Sequence, residues 1–340
     1  MSNENVVVEL VRRPEGNLQP DIFRVAKRQL KELEEGEFLM RVDYLAMDPA
    51  LISRMRDEDN YTAGTAPGEV MQANGVGEVI ESRNPDVAVG ELRHGLLCMQ
   101  QFSIQSDPAA SRVIQPGQGE PRWYLGVLGT TGVTAMLALR EVGAPKQGET
   151  VLISSGGSSV GSIAAQLAKL KGCRTVAIVS TDEKAAQVKA DWGYDAAIAY
   201  RGKSIQELSD AIGTACPDGV DVYFDNTSGD ISEAVMDHYA MRARHIVVGR
   251  MAIAHLKDTR DDVGRRDNNI LLVKRVKKQG FVVFDHNDIR TEAVAELAEA
   301  VATGKIQFKE DILEGIERAP EAFFRMLDGR NKGKQLVKVV

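Results

Sequence analysis

Cysteine is scarce in this 340-residue chain: Cys98, Cys173 and Cys216 are the full set, widely spaced and without a C-x-x-C pair. Three such thiols argue against a disulfide framework and suit a reducing compartment, where they are expected to act as small buried hydrophobes. The five histidines are scattered, with no H-E-x-x-H and no Cys/His cluster of ligand spacing, so no metal is expected. His238 shares a face with Ile231, Ala234 and Val235 and reads as a packed helix residue. Long hydrophobic runs are missing too: no window of about 18 apolar residues occurs. The opening Met1-Ser2-Asn3-Glu4-Asn5 lacks a basic region followed by an apolar stretch, and a cytoplasmic protein is expected. A surplus of positive charge is also absent. The formal charge of −7 argues against nucleic acid and anionic membrane as partners, because both demand a dense basic surface. The local basic runs Arg265-Arg266, Lys274-Arg275 and Lys277-Lys278 read as solvated faces.

The length exceeds what one hydrophobic core usually holds, so two domains are expected. Residues 6–11 and 37–46 read as strands joined by a charge-rich connection. Short strand-like pieces continue at 75–81, 89–92 and 95–102, with glycine every few residues and no long helical pattern before about residue 125. A small-residue helix then runs from the Gly129-Thr130 region to about Val142. Beyond it, strands at Val151–Ile153, Thr175–Val179, Ala196–Ala199, Val220–Phe224, Ile246–Val248 and Phe281–Phe284 alternate with amphipathic stretches. Such alternation means βαβ crossovers and a parallel sheet. Ser180-x-x-Glu183 and Ser204-x-x-Glu207 fit capping boxes, while Gly172 and Gly193 stand where helices should stop. The tail Gly333–Val340 is another strand, and periodicity leaves open which sheet it joins.

One stretch carries chemistry. Val151–Ile153 is followed by Ser154-Ser155-Gly156-Gly157-Ser158-Ser159-Val160-Gly161 and then by apolar residues at helical spacing, Ile163, Ala164, Leu167 and Leu170. Strand, glycine turn and helix together hold a pyrophosphate, because the turn lets backbone N–H groups approach the phosphates and the helix start carries partial positive charge. An acidic residue about 20 positions further on would bind the ribose hydroxyls of NAD. Here that position is Ser180, which does not repel a 2′-phosphate, and Lys184 follows in the first turn of the next helix. NADP(H) is therefore expected over NAD, with Asp182 and Glu183 read as residues facing the helix dipole. Asp225-Asn226 and Gly249 follow later strands, at the strand ends where ligands bind in parallel sheets.

Further features recur along the chain: Tyr44-Leu45-Ala46-Met47-Asp48-Pro49, Gly68-Glu69-Val70-Met71, Leu128-Gly129 with Gly132 and Thr134-Ala135, Ala168-Lys169-Leu170-Lys171-Gly172-Cys173, Asp182-Glu183-Lys184, Asp218 through Asn226, Gln279-Gly280-Phe281, and Gly329-Arg330-Asn331-Lys332-Gly333-Lys334. In order and spacing they resemble the zinc-free medium-chain dehydrogenase/reductase superfamily, most closely its leukotriene B4 dehydrogenase, prostaglandin reductase and alkenal double-bond reductase branch. The resemblance implies an α/β protein: a GroES-like β-rich substrate domain over 1–125, a Rossmann NADP-binding domain with a doubly wound parallel sheet over 126–305, and a segment over 306–340 returning to the β-rich domain. It implies a cofactor site at Gly156, Gly157, Ser158, Ser159, Val160, Gly161, Thr134, Ser180, Lys184, Tyr200, Asn226, Gly249 and Asn331. Lys184 and Tyr200 would lie around the 2′-phosphate and Asn226 toward the nicotinamide.

The chain also departs from that pattern. Where the family reads A-x-x-G-x-x-G, Ser155 and Ser158 replace the alanine and the first glycine, and Asp48-Pro49 is followed by Ala50-Leu51-Ile52 in place of Y-M-R. Met136 and Ala254 stand near positions where tyrosine is usual. The reaction expected from the resemblance is NADPH-dependent reduction of the carbon–carbon double bond of an enal or enone, by hydride delivery to the β-carbon. Tyr61 is the candidate substrate-side phenol. An NADPH:quinone reductase and a non-catalytic NADPH-binding protein are the alternatives, and a homodimer is implied. Lys184→Ala should raise the KM for NADPH far more than that for NADH; steady-state kinetics with both cofactors would refute the assigned role if the two effects are equal.

Overall fold

Glu4–Leu10 (β1) and Phe23–Gln29 (β2) form an antiparallel ribbon, Glu4 opposite Gln29 and Leu10 opposite Phe23. The computed structural model that gives this architecture describes residues 4–14, 16, 18–56, 63–256 and 258–340. The strand β2 falls within the stretch expected to be a mere connection. Its side chains are mostly exposed and three of the seven are charged, so it carries no clear apolar signature, and it is held by its partner. Buried Glu9 on β1 clamps it, accepting paired hydrogen bonds from Arg24 and Arg28.

Phe38–Ala46 (β3), the short helix Leu51–Met55 (α1), Asn74–Ser82 (β4), Leu92–Leu96 (β5), Phe102–Gln105 (β6) and Ser111–Val113 (β7) follow. The strand expected at 89–92 is instead a turn, with Val89 63% exposed and Gly90 in the left-handed region at φ +91°; β5 starts only at Leu92. These elements belong to one compact unit, Met1–Gly126 with Lys309–Val340, and residues Val127–Phe308 form a second.

In the second unit Thr130–Leu137 (α2) continues as a wider helical turn to Gly143. After it come Thr150–Ser154 (β8), Ser159–Leu170 (α3), Arg174–Val179 (β9), Asp182–Trp192 (α4), Ala196–Ala199 (β10), Ile205–Ala215 (α5), Val220–Asp225 (β11), Gly229–Val235 (α6), Tyr239–Val247 (β12), Asn268–Lys274 (α7), Lys277–Gly280 (β13) and Arg290–Ala302 (α8). The six strands are parallel, in the order β10-β9-β8-β11-β12-β13. Strand order reverses between β8 and β11, which is the doubly wound arrangement and its switch point. The core beneath it gathers Leu152, Val176, Ile178, Tyr223 and Ala243 from the strands with Leu208, Ile212, Ile231 and Val235 from the helices.

Three local expectations change here. The cap of α4 is Thr181, whose Oγ1 accepts from the Lys184 N–H at 3.3 Å, one residue beyond Ser180; Ser204 and Glu207 do form a capping box on α5. The strand expected at Phe281–Phe284 lies earlier, as β13, and Val283–His286 is a 3-10 turn. As an outer strand with four exposed residues, β13 has no apolar run to announce it, whereas buried Phe281 and Val283 serve the core from outside the ladder. His238 ends a 3-10 turn after α6, its Nε2 2.8 Å from Ser209 Oγ.

The chain closes with Glu310–Glu314 (β14), Ala319–Leu327 (α9) and Lys334–Lys338 (β15). The tail joins the first unit: β15 pairs antiparallel with β3 and parallel with β14, in the order β14-β15-β3-β4-β5-β7, with β6 also on β3. Buried Lys334 donates from Nζ to Asp48 Oδ1, tying the end of β15 to the loop that follows β3. All three cysteines are free, and burial pushes the Cys98 and Cys216 thiols up to about 11, which keeps them protonated and unreactive. Among the described residues no helix is long and apolar enough to cross a membrane.

Candidate functional site

The glycine turn sits where β8 gives way to α3. Ser155 takes a left-handed conformation at φ +52°, Gly156 and Gly157 follow, and Ser158 caps the helix by accepting from the Gly161 N–H at 3.1 Å. Two of the glycines are required by space. A Cβ on Gly156 would lie 2.7 Å from Ala177 Cβ, and one on Gly161 would lie 2.6 Å from the Ser155 carbonyl oxygen. With Ser158 in the family's first glycine position, the turn is closed by a side-chain cap. In the first turn of α3, Ser159 and Val160 have N–H groups without intrahelical acceptors, as phosphate binding requires.

The turn is buttressed by a residue that sequence reasoning missed. Tyr194 is fully buried and its hydroxyl lies 3.0 Å from both the Gly156 and Gly161 carbonyl oxygens, so one proton is shared between the two sides of the turn. Burial pushes this phenol far above its ordinary range, which keeps it a donor. Its only signal was an aromatic residue directly after Gly193, the left-handed cap of α4.

At the ends of β9 and β10 four residues converge. The Tyr200 N–H donates to the Val179 carbonyl at 2.9 Å and the Arg201 N–H to the Ser180 carbonyl at 3.2 Å, which sets Ser180, Tyr200 and Arg201 side by side. Lys184 rises from the first turn of α4, half-buried. Burial first, and the charge of Arg201 second, lower its pKa. An anion placed beside Lys184 and Arg201 would relieve that penalty on the Lys184 charge. Arg201 had been legible only as the residue after Tyr200; its approach to Lys184 is a tertiary fact.

Across the switch point, Asn226 donates from its backbone N–H to Ser154 Oγ at 2.9 Å and from Nδ2 to the Ser154 carbonyl at 2.7 Å. The side-chain amide is thus fixed against the last residue of β8. Gly249 follows β12; its N–H donates to the Asp225 carbonyl at 3.0 Å, and a Cβ there would come within 2.7 Å of the Asn226 carbonyl oxygen. Asp225 itself is 1% exposed. Ser154 Oγ, Tyr223 Oη, Thr227 Oγ1 and the Thr227 and Ser228 N–H groups all lie within 3.3 Å of its Oδ1. Ser232 Oγ at 2.6 Å and His245 Nε2 at 3.0 Å face its Oδ2. Burial pushes this carboxyl up, but the His245 hydrogen bond and charge, with Ser232 and the Ser228 N–H, outweigh it and hold the pKa down at about 2.

Most of the expected cofactor residues therefore gather at the carboxyl ends of the parallel strands. Thr134 is half-buried on α2, which packs against α3. Asn331 belongs to the first unit, where its Nδ2 donates to the Gly333 carbonyl at 2.7 Å. Tyr61 lies outside the described residues. A cavity of about 350 Å³ lined by Gly213, Asp218, Asp237, His238 and Lys274 opens at the amino ends of β11 and β12, away from this cluster.

A family model described as the N-terminal domain of oxidoreductase matches residues 7–113, and one described as zinc-binding dehydrogenase matches residues 159–299. A putative NADP-dependent oxidoreductase of Bacillus subtilis, YfmJ, is 38% identical, over 98% of this chain and 97% of that protein. The NADP(+)-dependent 2-alkenal reductase of Nicotiana tabacum is 34% identical, over 87% and 85%. Among solved structures, CurA from Vibrio vulnificus in complex with NADPH superposes with a TM-score of 0.90 at 30% identity, over 98% of this chain and 99% of that one. Among the described residues no group of three or more His, Cys, Asp or Glu side chains could hold a metal ion, so the residues do not fit the zinc that the second description names.

The depressed Asp225 carboxyl makes a stability prediction. A carboxyl with a folded-state pKa below its unfolded value stabilises the fold fully above the unfolded pKa and loses that contribution as pH falls through the folded one. Urea unfolding of the parent and of Asp225→Asn should differ most above about pH 4. That gap should shrink by about 2 kcal/mol as pH falls toward 2; a gap independent of pH would mean that the carboxyl is not ionised in the fold.

Proposed function

The chain belongs to the zinc-free branch of the medium-chain dehydrogenase/reductase family, and from that footing we propose that it reduces the carbon–carbon double bond of α,β-unsaturated aldehydes or ketones. It is an NADP-dependent oxidoreductase. The observation that supports the cofactor best is the end of β9: Ser180 where an NAD enzyme would place a carboxylate, with Lys184 and Arg201 beside it. For the substrate class, the support is similarity over most of the chain to a 2-alkenal reductase.

When bound, NADPH supplies the hydride that goes to the substrate β-carbon. The tasks left to the protein are binding, orientation and exclusion of water. Lys184 and Arg201 neutralise the 2′-phosphate, with Tyr200 as a hydrogen-bond donor beside them. The Ser159 and Val160 N–H groups meet the pyrophosphate, and Gly156, Gly157 and Gly161 keep that approach open. Asn226 spends Nδ2 on the Ser154 carbonyl, so its Oδ1 is the atom offered toward the nicotinamide side. Thr134, Gly249 and Asn331 complete the proposed cofactor set. Charge developing on the substrate carbonyl oxygen needs a hydrogen-bond donor, worth about 3 kcal/mol in such a setting; Tyr61 is proposed on the substrate side. No Lewis acid is assigned, because the metal donor set is lacking among the described residues.

The same reading includes a homodimer. The outer strand β13 has four exposed residues, and Leu272 and Val273 on the adjoining α7 are 77% and 54% exposed, an edge suited to a second copy.

Two measurements test these readings. Purified protein with NADPH should turn over 2-alkenals and enones; turnover of quinones alone would replace the substrate class, and tight NADPH binding without turnover across the panel would remove catalysis. Sedimentation velocity should report twice the chain mass, falling to the monomer in a Leu272→Asp, Val273→Lys variant; a monomeric parent refutes the dimer.

A further inference from the structure

The cofactor residues near the switch point do not hold themselves in place. Among the described residues, Asn226 donates to Ser154, through its backbone N–H and its Nδ2. The Ser154 hydroxyl can serve the Asn226 N–H as acceptor only with its own proton turned elsewhere, and that proton goes to Asp225 Oδ1 at 3.2 Å. Asp225 also fixes both neighbours of this contact. Its carboxylate accepts the Thr227 and Ser228 N–H groups that open the loop after β11, and its main-chain carbonyl accepts the Val248 and Gly249 N–H groups at the end of β12. Ser228 Oγ then donates to the Gly249 carbonyl at 3.1 Å.

From this geometry we infer that Asp225 is a positioning residue for the nicotinamide side of the site, fixing the Asn226 backbone through the Ser154 hydroxyl, and with it the origin of the Asn226 side chain, and setting the Gly249 backbone opposite it. The inference rests on the NADPH-site reading given above. His245 is the partner that keeps the carboxylate oriented. An ionised carboxylate only accepts, so Nε2 carries the proton toward Oδ2 at 3.0 Å, while Nδ1 is engaged by Tyr239 Oη at 2.8 Å. Ser232 holds the same oxygen from α6. Four elements, β8, β11, α6 and β12, thus converge on one side chain. An apolar core would pack β8 against β11 equally well. What the carboxylate adds is direction: it decides which way the Ser154 hydroxyl points, and hence where an acceptor meets Asn226.

The test separates the two ends of the cofactor. Adenosine 2′,5′-bisphosphate would meet the Lys184, Tyr200 and Arg201 end and, through its 5′-phosphate, the glycine turn, and it leaves the nicotinamide side empty, whereas NADPH would span the whole site. Affinity for each is measured by calorimetry on the full chain in the parent, Asp225→Asn and Ser154→Ala. Both variants should bind NADPH about tenfold more weakly or worse, and the bisphosphate within about twofold of the parent. The double variant should lose no more than the larger single loss, because both act on one relay. Equal weakening of NADPH and bisphosphate would show general disruption and overturn the inference, as would parent-like NADPH binding in both variants. Should Asp225→Asn fail to fold, Ser154→Ala, which removes a single hydroxyl, decides the matter by the same comparison. A parent that binds neither ligand overturns the cofactor reading itself, an outcome distinct from a parent that binds both while the variants do not discriminate.

Discussion

One buried carboxylate holds the second unit's strand ends together. Asp225 terminates β11 at the point where strand order reverses, and hydroxyl or N–H groups from β8, α6 and the following loop close on its two oxygens. A charge at 1% exposure is costly unless fully partnered. Here the partners are numerous, and one of them, His245, is backed in turn by Tyr239. Removing the carboxylate strands several buried donors at once. Parallel sheets pack their faces with aliphatic side chains that carry no direction. Direction at the switch point comes from this polar node.

The opposite end of the site works by opposite electrostatics. Around Asp225 a single negative charge is surrounded by donors, whereas at β9 and β10 two cations stand close enough for Arg201 to lower the Lys184 pKa. The first arrangement is satisfied within the protein and serves geometry. The second is the place proposed above for the 2′-phosphate, where an added anion would relieve the repulsion between the cations. Between them lies the turn braced by Tyr194, where the demand is steric: Gly156 and Gly161 have no room for a Cβ, and the phenol ties their carbonyls together.

In the first unit the decisive contact spans most of the chain. Lys334, buried on β15, meets Asp48 after β3. Neither the Asp48-Pro49 stretch nor the Gly333-Lys334 stretch explains itself locally, yet in the fold they are one ion pair. Gly333 fits the same junction, since a Cβ there would fall 2.1 Å from the Lys309 carbonyl oxygen. The ion pair and the β3–β15 ladder secure a strand that would otherwise be a free tail.

By itself the sequence determined whatever depends on near neighbours. Alternation of strands and helices, aliphatic runs at Val151–Ile153 and Val220–Phe224, the Ser204 cap and the glycine stops at 172 and 193 were all legible, because periodicity, capping and left-handed turns are short-range. The serine in place of an acid at 180 was legible for the same reason. What tertiary structure alone decided involved partners far apart. The outer strands β2 and β13 escaped notice because exposed strands need no apolar pattern, and the strand expected at 281–284 was drawn to buried residues just past β13, where Phe281 gives a last N–H to the Val247 carbonyl and Val283 already lies in a 3-10 turn. The choice of Thr181 over Ser180 as cap turned on a backbone conformation that either residue type allows. Tyr194, Arg201 and His245 acquired their roles only when folding brought them to the glycine turn, to Lys184 and to Asp225, since a hydrogen bond or a Coulomb interaction between distant residues leaves no spacing in one sequence to be read.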